Sequence, residues 1–133
     1  MSYVKKYMGQ PMELVELRAF IKAQAKQLKD YYAGVDEDKM ILAGTVKLAE
    51  ELGELCQEIL AHQTLQRTSK LKHHNKDTLA SEFADAIIIP LILAEWMNID
   101  MEQALEHKID IIKKRFSPSI KQASFQQKTK EEY

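Results

Sequence analysis

The sequence predicts an all-α fold, a four-helix bundle that completes its core by oligomerisation, and three observations carry this prediction. Among 133 residues there are only four glycines and three prolines, too few breaks for a sheet protein with many turns. Four segments repeat apolar residues at helical spacing. One stretch, Ala86 to Ala94, is apolar on every side, more than a small chain can cover alone. At this length one modest core is expected, in a single domain over residues 1–133. Its body is expected over about 12–118, with 119–133 a polar tail rich in Lys, Gln and Ser.

The first helix is expected from about Met12 to Tyr32, with Leu14, Leu17, Ile21 and Leu28 on one stripe and Gly34 as its stop. The second runs from about Asp38 to Gln63, with Leu48, Leu52, Leu55 and Ile59 as its core side. A polar, basic linker follows over 64–76. The third helix starts near Asp77 or Thr78, either a fair N-cap, and ends near Asn98. Pro90 lies inside it and should kink it, since proline removes a backbone donor and crowds the preceding turn. The fourth takes Asp100 as N-cap, with Gln103 placed as in a capping box, and ends near Phe116. The third helix needs cover on both faces, and a second copy of the chain is the simplest source. Residues such as Ile88, Leu91 and Ile92, pointing away from Glu82 and Asp85, are expected in or near a subunit contact of a dimer or tetramer.

Charge and composition narrow the function. Nineteen Lys+Arg against twenty Asp+Glu leave a net charge of −1, without the basic excess of a nucleic-acid binder. No stretch approaches the roughly 20 apolar residues of a membrane span, and Met1–Pro11 lacks the apolar run of a signal peptide. A lone cysteine, Cys56, excludes an internal disulfide and suits the reducing cytoplasm, where the protein is expected.

The carboxylates carry the chemistry. Taking 100° per residue, Glu51, Glu54 and Glu58 fall in an arc of roughly 60° beside the apolar stripe of the second helix, with Glu50 further toward solvent. On that helix alone they read as a solvated acidic face. On the third helix, however, Glu82 and Asp85 share a face with Ile89, Leu93 and Trp96, so these acids extend an apolar stripe. Ionised carboxylates on a buried face need partners or a metal, and the facing helix offers more carboxylates. All-oxygen ligation points to a hard ion, Mg²⁺ or Mn²⁺. A di-iron centre would need Glu-x-x-His pairs, and none of His62, His73, His74 and His107 follows a glutamate by three. His62 reads as a helix-end residue and His73-His74 as linker. On the fourth helix, Lys108 and Arg115 lie seven residues apart on one side, either as rim side chains or as phosphate contacts.

Glu50-Glu51-Leu52-Gly53-Glu54, followed after 27 residues by Glu82-Phe83-Ala84-Asp85, resembles the EExxE…ExxD signature of the MazG-like all-α nucleoside triphosphate pyrophosphohydrolases. The likeness extends over about 12–118, including the Asn98-Ile99-Asp100 joint and Lys108, Arg115 and Phe116. It implies Mg²⁺-dependent hydrolysis of a nucleoside triphosphate between the α and β phosphates, giving the monophosphate and pyrophosphate. Glu51, Glu54, Glu82 and Asp85 are then the implied metal ligands, and Lys108 and Arg115 act on the phosphate chain. Either Glu54 or Glu50 orients or deprotonates the attacking water. The base is expected in a slot lined by Phe20 and Tyr31 of the first helix, with Trp96 a further candidate. Gly53 would leave room for a backbone or ligand to come close. Ile112 departs from the family pattern, which usually has Asn there as a polar contact to the substrate. The alternative is a catalytically silent bundle that binds a nucleotide or a protein.

Overall fold

The structure, a computed structural model, describes residues 11–63 and 75–115. The expectations for linker residues 64–74, His73 and His74 among them, and for Phe116 and the tail lie outside these residues. Among the described residues four α-helices form in order: α1 Leu14–Tyr31, α2 Glu37–His62, α3 Lys76–Trp96 and α4 Met101–Arg115. The described residues contain no strand, so the class is all-α. None of the helices is long and apolar enough to cross a membrane. The chain forms two compact units, Met1–Asn98 and Ile99–Tyr133.

Short polar contacts set the helix ends. Glu16 takes the Glu13 amide at 2.9 Å at the start of α1, and Gly34 adopts φ +93° just past its end. Asp36 caps α2, accepting from the Asp38 amide at 3.0 Å and that of Lys39 at 3.3 Å. The start of α3 corrects the sequence reading: Asn75, not Asp77 or Thr78, is its cap. Asn75 accepts from the Thr78 amide at 2.8 Å, and its own amide donates to Thr78 Oγ1 at 3.1 Å. This reciprocal pair satisfies two otherwise orphaned donors. α3 then continues through Pro90 to Trp96. Asn98, at φ 55°, makes the left-handed turn after it.

Within the first unit α3 packs against both α1 and α2. On the α1 side, Ile21, Ala25 and Ile92 form a buried cluster, flanked by Leu17, Leu28, Ile88, Leu91 and Trp96. The Trp96 indole N–H donates to the Ala25 carbonyl at 3.1 Å. Ile92 is buried against α1 in the same chain, and Ile88 and Leu91 pack beside it while staying half-buried. An all-apolar helix carries no phase in its sequence, so its pattern does not say which side meets which neighbour. Phe83 and Ile87 are instead its exposed large apolar residues.

On the α2 side the helices run antiparallel. As α2 advances through Gly44, Glu51 and Glu58, its neighbours on α3 recede through Leu93, Asp85 and Thr78. A Cβ built at Gly44 would stand 2.7 Å from Leu93 Cδ2 and 3.0 Å from Trp96 Cζ3. The missing side chain lets the helices approach there. The contact face of α2 runs through Met40, Gly44, Glu51 and Glu58. It is turned about 70° from the Leu48 stripe toward the carboxylates. Leu52 and Ile59, expected in the core, are left exposed at its edge, as is Leu14 on α1.

Candidate metal centre

The rotation of α2 places Glu51 at the middle of the α2–α3 contact, where it is 7 % exposed and the one buried charged residue among those described. Across from it stand Glu82 and Asp85, one turn apart on α3 and half-buried. Glu51, Glu82 and Asp85 each offer a carboxylate oxygen, and these atoms lie within 4.8 Å of one another. Three of the four expected ligands thus share one place. Glu54, the fourth, is exposed and outside this group, although its charge is felt at Glu82.

Glu82 holds the most strained charge. Its Oε2 is buried without a hydrogen-bond partner. Burial, and then the charges of Glu54, Asp85, Glu51 and Glu58, push its carboxyl above the ordinary value of 4.5. A carboxyl with one orphaned oxygen, grouped with two more carboxylates, fits a divalent cation with oxygen ligands. Glu58 is tied off differently, accepting from Thr78 Oγ1 at 3.0 Å.

Lys47 is the residue that the sequence reading missed. Its ammonium lies 2.7 Å from Glu51 Oε1 and 3.3 Å from Glu50 Oε2. Hydrogen bonds to Glu51 and Glu50 hold it above the ordinary lysine range. This partner comes not from across the helix interface but from along α2, four residues before Glu51. That i,i+4 spacing was the available signal.

The remaining expected residues are placed as follows. Phe20 and Tyr31 are both exposed, and Tyr31 packs edge-on against Tyr32 with ring centroids 4.9 Å apart. Trp96 is committed to the α1 contact through its indole hydrogen bond. Gly53 has nothing within 4 Å of a Cβ built on it. Lys108 and Arg115 lie exposed on α4, in the second unit. Asp100 caps that helix, accepting from the Gln103 amide at 3.1 Å, and the Asp110–Lys114 pair at 2.7 Å ties its last turns together. Comparisons of the chain with protein families, curated proteins and solved structures return no match.

Proposed function

We propose that this protein is a magnesium-dependent nucleoside triphosphate pyrophosphohydrolase of MazG-like type. The observation that carries this reading is the Glu51–Glu82–Asp85 group, drawn from two helices within 4.8 Å and including a buried, unpartnered oxygen. The same residues are part of the signature that resembles that family. Glu51, Glu82 and Asp85 would hold Mg²⁺ or Mn²⁺, with Glu54 joining from the rim. A bound ion there supplies charge neutralisation for a polyphosphate and its displaced pyrophosphate. The chain's own residues position the rest. By the resemblance, Glu54 or Glu50 would orient or deprotonate the attacking water, and Lys108 and Arg115 would contact phosphate oxygens, Arg by its fork and Lys as a point charge. Phe20 and Tyr31 remain candidates for the base.

The reading includes a homo-oligomer, a dimer or tetramer, for which the exposed Leu42, Val46, Leu60, Phe83 and Ile87 give support. A cytoplasmic location suits the exposed free thiol of Cys56. A catalytically silent bundle is the second reading, favoured by Lys47, which already gives Glu51 a partner.

Release of pyrophosphate and monophosphate from a panel of canonical and modified nucleoside triphosphates decides between them. Turnover with Mg²⁺, lost in EDTA and reduced at least 100-fold in Asp85→Asn with helical content intact, is the expected result. Failure to cleave any member of the panel, or full activity in EDTA, refutes the proposal.

A further inference from the structure

We propose that Lys47 is a built-in counter-ion of the carboxylate group, a positioning residue that holds Glu51 and must release it to an arriving divalent cation. This rests on the metal-centre reading above. Its consequence is that Lys47 lowers the affinity of the free protein for the cation.

The pair is unequal. The Glu51 side chain is 9 % exposed and that of Lys47 49 %, so a buried carboxylate is served by a cation that reaches in from solvent. An ordinary exposed i,i+4 pair contributes little, and lysine preceding glutamate is the weaker order. Here the carboxylate cannot turn to water, and the 2.7 Å contact fixes the direction in which its oxygens face. A single ammonium is nevertheless an incomplete answer to three acids. With Glu51, Glu82 and Asp85 ionised, Lys47 leaves two negative charges uncompensated, and Glu82 Oε2 keeps no partner. A divalent ion offers the three acids twice the charge of an ammonium, and so leaves a smaller deficit even after Lys47 has moved away.

Glu50 makes the exchange feasible. Its Oε2, 3.3 Å from Lys47 Nζ, is a second acceptor on the solvent side. The flexible lysine stem lets the ammonium keep this contact while leaving Glu51. Glu50 then has a task that does not require it to touch the ion. Cation binding proceeds against the repulsion of Lys47 and the loss of its bond to Glu51, and this is how the lysine weakens it.

The test is Mn²⁺ binding to the full chain without nucleotide, measured by calorimetry at low ionic strength. Wild type, Lys47→Met, Lys47→Gln, Lys47→Arg and Glu82→Gln are compared, with thermal melts to check folding. Removing a unit charge beside the site should tighten Mn²⁺ binding about 3- to 10-fold in the Met and Gln variants. The Arg variant should stay within about twofold of wild type, and the gain should shrink in 0.5 M KCl through screening. A lysine that only decorates the helix surface would not move the affinity. If Glu82→Gln loses Mn²⁺ but both neutral variants bind no tighter than wild type, the proposal falls and the metal centre stands. If wild type itself binds no Mn²⁺, both fall.

Discussion

Glu82→Gln should make the cation-free protein more stable, an unusual outcome for a change at a helix interface. The substitution keeps the shape of the side chain and removes one charge from three whose oxygens lie within 4.8 Å. Two unit charges at that distance repel by about 0.9 kcal/mol in water and about 3.5 kcal/mol at an effective dielectric of 20. The site lies between a buried and a half-open environment, and Lys47 offsets part of the field at Glu51. A net gain of about 1 to 2 kcal/mol is therefore expected, or about 3 to 8 °C in Tm for a chain of this size. The pH dependence gives a second reading of the same energy. The fold raises the Glu82 carboxyl above its ordinary value, so the folded state binds that proton more tightly than the unfolded chain does. Stability from this group is fully present below the ordinary glutamate range and is lost as pH rises through the raised value. Wild type in EDTA should accordingly gain stability relative to Glu82→Gln as pH falls toward the ordinary glutamate range. Added Mg²⁺ should raise the wild-type Tm and leave the variant's nearly unchanged. Circular-dichroism melts in EDTA that show the variant equal to or below wild type at pH 7.5 would refute the reasoning.

Two further expectations concern packing. Gly44→Ala should destabilise by about 1 to 3 kcal/mol, because its Cβ meets Leu93 at 2.7 Å, while Gly53→Ala, with open space around it, should gain up to about 1 kcal/mol of helix propensity. Denaturant titrations of the two variants check both signs. Light scattering at micromolar concentration should report a dimer or larger, which Val46→Arg or Ile87→Arg should weaken more than Ile88→Arg, whose first effect is to disrupt the α1 contact; an active monomer near 15 kDa would end the oligomer proposal.

Helical period located α1, α2 and α4 to within two residues because each has one apolar and one polar side. It also set Glu82 and Asp85 on a stripe continuous with Leu93 and Trp96, which is why they lie together with Glu51. The cap of α3 is one place where pattern gives no guide, because Asn75 sits in polar surroundings and only its exchange of hydrogen bonds with Thr78 distinguishes it. The phase of α2 was misjudged because leucines at its edge outvoted a contact face holding glycine and glutamate. The residue that serves Glu51 was missed because a lysine one turn away reads as ordinary surface charge until its carboxylate is known to be buried. The described backbone brings the acids together, whereas the placement of Phe20 and Tyr31 depends on surroundings that periodicity does not encode.

Gly44 turns the helix pair into a calliper. Its jaws close on Leu93 and Trp96 at one point, and the carboxylate oxygens are measured off two turns further along α2. Magnesium takes oxygens at about 2.0–2.1 Å and calcium at about 2.3–2.6 Å, a difference of a few tenths of an ångström. One methyl group at position 44 would press on Leu93 and Trp96 by more than that, so whatever part of the shift the helices take up would be read out at the acids.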